Sequence, residues 1–247
     1  MTHSVSDKDS GGGIAIQTKA LDHLEAVAFD LDSTLSYYPF STQDVLREAL
    51  HRVGEKDLLA DVAGAAERYN AAWPEAERRC SSILETRIAL WAMLLDRPID
   101  SLCRQLALAY DEIRQEGGVE LFPGVRQMLS SLRSKYRVGL LTNGSAEMQR
   151  PKLEHLGIAS AFDAVVLAGE EGVYKPASEV FDILLDRLNA KAEVTLFVGD
   201  SYEMDIVGAH RAGMRTAWVK PDDTVPGEDI TADIEIGDVS LLREVLL

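Results

Sequence analysis

Short, nearly continuous apolar runs alternate along the chain with longer stretches of helical periodicity. Ala26-Val27-Ala28-Phe29 rises out of polar surroundings and stops at Asp30-Leu31-Asp32. Arg137 to Leu141, Ala164 to Ala168, Val194 to Val198 and Thr216 to Val219 repeat the pattern, and Asp233 to Ile236 is a weaker instance. Apolar runs of this length without polar alternation mark strands buried on both faces, the habit of a parallel sheet. Helical spacing fills the gaps at Gly124 to Lys135, Ala146 to Leu156, Ala177 to Leu188 and Met204 to Ala212. Gly157 and Gly213 stand where two of these helices should end. Strand and helix repeated in this order predict an α/β fold built on a doubly wound parallel sheet.

One segment departs from the alternation. From Thr42 to about Gly117 the spacing is helical only. Val45, Leu46, Ala49, Leu50 and Val53 share one face, and Ile83, Leu84, Arg87, Ile88, Leu90, Trp91 and Leu94 form a second stripe, with breaks expected at Pro74 and Pro98. So long a helical stretch between the first and second strands exceeds one crossover helix and predicts an inserted all-α subdomain. The expected organisation is a mobile leader over residues 1–19, an α/β core over 20–36 and 119–247, and a helical domain over 37–118.

Composition narrows the partners. With 25 basic and 41 acidic residues the formal net charge is −16, which repels nucleic acid and anionic lipid in the absence of a basic patch. The two cysteines, Cys80 and Cys103, are too few for a disulfide scaffold or a metal knuckle and read as small core residues. No apolar run reaches the roughly 18 residues of a membrane span, and the N-terminus has no signal-peptide pattern, so the expectation is a cytoplasmic protein, monomeric or homodimeric. Trp73, Trp91 and Trp218 are expected in the core, and His210 is expected to face away from any site.

Four features carry chemistry. In Asp30-Leu31-Asp32-Ser33-Thr34, side chains two apart on a strand share a side, so the two carboxylates would converge beyond the carboxyl edge of the sheet. Close carboxylates repel, so they must share a cation or hold a proton, although the same residues also make good helix caps and turns. Leu141-Thr142-Asn143-Gly144 ends the second strand with a hydroxyl and backbone N–H groups suited to an anion, or to an ordinary turn. In Tyr174-Lys175-Pro176, the proline is expected to open the next helix and to hold Lys175 extended, its ammonium reaching outward; a surface lysine is the alternative. Gly199-Asp200-Ser201, with Asp205 one turn on, ends another strand; Asp200 could complete an oxygen set with Asp30 and the Asp32 carbonyl that suits Mg²⁺, while Asp205 could equally serve the helix dipole.

In order and in charge these four features resemble motifs one to four of the haloacid dehalogenase-like (HAD) hydrolase superfamily, over about residues 25 to 36 and 119 to 240, and the helical insertion is similar in position to that family's α-helical cap. The resemblance implies Asp30 as nucleophile, Asp32 as acid and base, Thr142, Asn143 and Lys175 as holders of a phosphoryl group, and Asp30, Asp32, Asp200 and Asp205 around Mg²⁺. Asp32 is replaced in the halide-removing members, so its presence implies phosphoryl chemistry on a small phosphorylated metabolite. Ser33 stands where many relatives carry glycine or asparagine. The stretches around TNG, FDAVVLAGEEGVYKPASEVFDILLDRL and VGDSYEMDIVGAHRAGM resemble phosphatases of nucleoside monophosphates, acylneuraminate 9-phosphate and phosphoglycolate. A sugar-phosphate mutase uses the same motifs; a non-catalytic HAD-like binding module is a third reading, against which the complete motif set argues. Within the helical segment Arg78, Arg79 and Arg87 could meet a second anionic group, and Tyr37, Tyr38 and Phe40 would flank an entrance.

Overall fold

The computed structural model describes residues 15–16, 23–220 and 230–247. The described strands are β1 (Ala15–Ile16), β2 (Ala26–Phe29), β3 (Ser36–Tyr37), β4 (Glu120–Leu121), β5 (Arg137–Thr142), β6 (Ala164–Leu167), β7 (Thr195–Gly199), β8 (Arg215–Val219) and β9 (Ile234–Ile236). Seven of them form one sheet in the order β1-β9-β8-β7-β2-β5-β6, and β3 pairs with β4. From β9 to β6 every neighbouring pair of this sheet is parallel, and β1 runs antiparallel against β9. The predicted α/β fold class is therefore observed. Of the expected leader only Ala15–Ile16 lie among the described residues, and they are strand rather than mobile tail, pairing with Glu235 and Ile234. The rim of β9 would otherwise expose unpaired backbone groups, which this short strand covers.

Sequence explains the centre of the sheet. Ala26, Val27, Ala28 and Phe29 are fully buried, as an uninterrupted apolar run between two parallel neighbours requires. Strand order reverses at β2, whose register sets Phe29 opposite both Leu140 and Val198. The carboxyl ends of β2, β5 and β7 are thus level, and the residues that follow them emerge at one edge beside the switch point where open α/β sheets bind ligands.

The chain falls into two compact units, Met1–Tyr37 with Leu121–Leu247, and Tyr38–Glu120. The second contains α1 (Thr42–Val53), α2 (Val62–Arg79), α3 (Ile83–Leu94) and α4 (Ser101–Gly117). Each begins at a side chain that accepts a first-turn N–H: Ser41, in a capping box with Asp44, then Asp61, Ser82 and Asp100. Two expectations need correction here. Pro74 does not break the chain but lies inside α2; Tyr69, Trp73 and Ala76, packed into the helical core on both sides of it, hold the helix through the missing N–H bond. Of the stripe expected on α3 only Leu84 is exposed, while Thr86 and Ala92 outside it are buried as well, so the buried face is wider than predicted. Trp91 is buried, while Trp73 is partly buried and its indole N–H donates to Glu77. Cys103 is a core residue, but Cys80 is half-exposed at the end of α2.

In the first unit α5 (Val125–Leu132), α6 (Ala146–Leu156), α7 (Ala168–Glu171), α8 (Ser178–Leu188), α9 (Gly208–Arg211) and α10 (Leu242–Leu246) connect or follow the strands. Phe181 of α8 meets Phe197 of β7 edge to face at 5.1 Å. Gly157 and Gly213 adopt the left-handed conformation expected of them. After β7 the chain forms a π-helical stretch, Tyr202–Val207, before α9; wide turns of this kind recur at functional sites. His210 is exposed, and Trp218 is buried.

Candidate active site

The level carboxyl ends of β2 and β7 bring three aspartates together. Carboxylate oxygens of Asp30, Asp200 and Asp205 all lie within 4.8 Å of one another. Asp30 follows β2 directly, with its backbone N–H on the Val198 carbonyl at 2.9 Å. Asp205 reaches the group from the π-helical stretch and accepts from the Ser201 N–H at 3.0 Å. Its place depends on Gly199, because a Cβ there would stand 2.3 Å from the Asp205 carboxylate. Asp200 is tied to the first motif: Thr34 Oγ1 donates to it at 3.2 Å and accepts from its backbone N–H at 3.0 Å.

Lys175 sits among these carboxylates, donating to Asp30 at 2.7 Å and to Asp205 at 2.6 Å. The expectation of an outward arm is corrected, since the Lys175 side chain is 3% exposed. Pro176 does not open the next helix either. The Lys175–Pro176 bond is cis, and α8 starts at Ser178 after an N-cap at Ala177. Asn143 fixes this loop with both ends of its amide, donating to the Lys175 carbonyl at 3.0 Å and accepting from the Lys175 N–H at 2.7 Å.

Charge at this cluster does not balance, because one ammonium faces three carboxylates. Burial, with further pressure from Asp205 and Asp200 that Lys175 only partly relieves, pushes the Asp30 carboxyl up to about 7. Burial and then the Asp205 charge push Asp200 up to about 6. Burial opposes the Lys175 charge, but Asp205 and Asp30 more than offset it and hold the ammonium protonated above its ordinary range. An all-oxygen set with surplus negative charge fits a hard divalent cation such as Mg²⁺.

Asp32 belongs to a separate group. Lys152 Nζ donates to both of its carboxylate oxygens at 2.8 Å, and Gln149 Nε2 donates to Oδ2 at 2.9 Å. The same Gln149 nitrogen donates to the buried Thr142 hydroxyl at 3.1 Å. Strand geometry predicted that the two carboxylates of the first motif would converge beyond the sheet edge; they engage different lysines instead. The strand ends at Phe29, and the chain turns between Leu31 and Ser36, with Leu31 O accepting from the Leu35 and Ser36 N–H groups. The Asp32 carboxylate, engaged by Lys152 and Gln149, is not part of the Asp30, Asp200 and Asp205 cluster.

Sequence reasoning missed Thr34, Gln149 and Lys152. The last two had a signal. Gln149, Lys152, Leu153 and Leu156 follow the i, i+3, i+4, i+7 spacing of a buried helical stripe, and all four are buried. A glutamine and a lysine on such a stripe demand polar partners at a strand edge. Gln149 Oε1 is buried without a hydrogen-bond partner, which costs about 1–3 kcal/mol. In the helical unit the candidate arginines are spent locally: Arg78 and Arg79 pair with Glu75, and buried Arg87 pairs with Asp111. The Arg114 guanidinium covers the Tyr38 ring at 4.6 Å, while the Tyr37 ring lies 4.9 Å from that of Phe122.

The sequence profile of the haloacid dehalogenase-like hydrolases matches residues 24–213. The chain belongs to this family. The expectation of a HAD-like hydrolase is met, and among curated proteins the chain is similar to phosphatases. It is 33% identical to a ribulose-1,5-bisphosphate 5-phosphatase of Halopiger xanaduensis over 80% of this chain and 85% of that one. It is 40% identical to the N-acylneuraminate-9-phosphatase of Rattus norvegicus over 83% and 86%. Among solved structures, a 2-haloacid dehalogenase from Pseudomonas syringae pv. tomato superposes with a TM-score of 0.60 at 30% identity, over 90% of this chain and 98% of that one. Among the described residues no helix is long and apolar enough to cross a membrane.

Proposed function

We propose that this HAD-like hydrolase is a Mg²⁺-dependent phosphomonoesterase working through an aspartyl-phosphate on Asp30. The observation that carries the reading is the buried cluster of Asp30, Asp200 and Asp205 around Lys175, with the second aspartate of the first motif, Asp32, held separately by Lys152 and Gln149. A dianionic phosphate would meet strong repulsion in so acidic a site. Mg²⁺ held by Asp30, Asp200, Asp205 and the Asp32 carbonyl would supply the positive charge that offsets it. Lys175 adds one charge, and the Thr142 hydroxyl with the N–H groups after β5 faces the phosphoryl oxygens. Asn143 contributes by fixing the Lys175 backbone.

An Asp30 oxygen attacks phosphorus, the bond to the ester oxygen breaks with its electron pair on that oxygen, and Asp32 gives it a proton. Water then attacks the phosphorus, gives a proton to Asp32 and restores the Asp30 carboxylate. A carbon–halogen hydrolase has no leaving oxygen to protonate and no use for Asp32, whereas here two buried side chains grip that residue. Relatives that remove phosphate from sugars support a small phosphorylated sugar or sugar acid as substrate, with nucleoside monophosphates and phosphoglycolate as further candidates. The helical unit, taken as residues 37–118 against a core of 20–36 and 119–247, is the substrate-selecting cap. Small phosphorylated metabolites of this kind occur in the cytoplasm, where the protein is placed; its charge of −16 disfavours nucleic acid as a partner.

The test is phosphate release from a panel of esters with and without Mg²⁺, beside Asp30→Asn. Metal-dependent release that vanishes in the variant supports the reading. Return of the phosphoryl group to substrate without free phosphate would make the protein a mutase instead, and a folded protein inert toward every ester would make it a binding module.

A further inference from the structure

We infer that Gln149 and Lys152 are positioning residues for Asp32, holding its carboxylate in the orientation from which it serves the leaving oxygen and the attacking water. The inference rests on the phosphatase reading and extends it to two residues of α6 outside the four motifs. Burial provides the first argument. Lys152 is 7% exposed and Gln149 is 2% exposed, on the stripe of α6 that also buries Leu153 and Leu156. Apolar residues would pack there without desolvating a charge or an amide.

Geometry provides the second. Lys152 Nζ touches both oxygens of Asp32 at 2.8 Å, and Gln149 Nε2 touches Oδ2 at 2.9 Å. A carboxylate offers about four lone-pair sites, and three contacts fill three of them. The carboxylate plane is fixed, and a lone pair remains on Oδ1 for the proton that passes to the leaving oxygen and returns from water. Gln149 also ties Asp32 to motif two, through Thr142 Oγ1 at 3.1 Å.

The fold also accepts a cost to keep Gln149 in place. Its Oε1 is buried without a partner, so the amide is retained for its donor end. Gly144 leaves the space it needs, since a Cβ there would stand 2.2 Å from Nε2 and 2.8 Å from Cγ and Cδ. A lysine that merely neutralised a half-exposed aspartate would need neither of these features.

The test compares kcat/KM for an alkyl phosphate, whose leaving oxygen needs a proton, with that for p-nitrophenyl phosphate, whose leaving group departs without one. This ratio reports the step that transfers phosphorus to Asp30 and is blind to later hydrolysis. In Lys152→Met and Gln149→Leu the alkyl-to-nitrophenyl ratio should fall by about 100-fold, the scale of lost general acid catalysis. Gly144→Ala, which crowds Gln149 while keeping both donors, should lower the ratio by roughly tenfold. Melting curves identify any variant that fails to fold, and the remaining variants then decide. Equal losses on both esters, or an unchanged ratio, would overturn the positioning role. Failure of the phosphatase reading looks different: wild type releases phosphate from neither ester, or Asp30→Asn works as well as wild type.

Discussion

Asp30 and Asp32 stand two residues apart, and a buried lysine grips each, yet the two pairs are built to opposite ends. Around Asp30 the lysine is shared with Asp205, and Asp200 adds a third carboxylate, so negative charge is in excess. Around Asp32 one lysine and one glutamine donate to the carboxylate. The first pair is incomplete without a cation. The second fixes an orientation. Burial alone does not say what a charged residue is for; the count of charges around it does.

The largest expected effect comes from removing the attacking oxygen. Asp30→Asn should lower turnover about ten-thousandfold or more, measured as phosphate release with Mg²⁺ present. Asp32→Asn should follow, with a loss of roughly 10²–10⁴ in kcat and unchanged Mg²⁺ activation, because Asp32 is not in the carboxylate cluster. Gly199→Ala would push a methyl group into Asp205 and should weaken Mg²⁺ binding by about 10–100-fold, read by calorimetry. Unchanged Mg²⁺ affinity in that variant would detach Asp205 from the cation site.

The same contrast appears as a pH effect on the metal-free protein. Asp30 rises from its ordinary 3.8 to about 7 on folding. Stability from this group is therefore fully present below 3.8 and is lost as pH climbs through about 7. Asp30→Asn removes that loss. In chelator, the variant should match wild type near pH 4 and become progressively more stable up to pH 8, by up to about 4 kcal/mol. Urea titrations across that range check it; a constant difference would show that the Asp30 charge is not penalised. The smallest effect concerns the turn between the two aspartates. Ser33 has φ +64°, a left-handed conformation that favours glycine, and Ser33→Gly should stabilise the fold by about 1 kcal/mol, seen as a raised Tm.

Much of the core was legible because its signals are local. The predicted first strand matches β2 residue for residue, and the other strand boundaries fall within one or two residues, since continuous apolar runs in a parallel sheet leave little ambiguity. Asp30 and Asp200 could be singled out because each directly follows a strand, Asp205 because it stands about one turn past Asp200, and Lys175 because it precedes a proline. What escaped depends on packing. Whether Lys175 points outward or inward is decided by Asn143 gripping its backbone from another loop, 32 residues away. The separation of Asp32 from Asp30 is decided by a tight turn and two residues of α6. In the helical unit the buried face of α3 is wider than the stripe that periodicity gives, and Pro74 is carried inside α2 by neighbours that periodicity cannot see.

The central claim is that phosphorus passes through Asp30, and it can be tested by trapping. Asp32→Asn should be mixed with p-nitrophenyl phosphate and Mg²⁺, quenched in acid within the first turnover, and mapped by mass spectrometry. The variant still accepts phosphorus from a leaving group that needs no proton but cannot activate the water that removes it. A phosphoryl group on the peptide containing Asp30, absent when Asp30 is also replaced by Asn, is the expected result. Nitrophenol and free phosphate released together, with no phosphoryl group on that peptide at any quench time, would contradict the account.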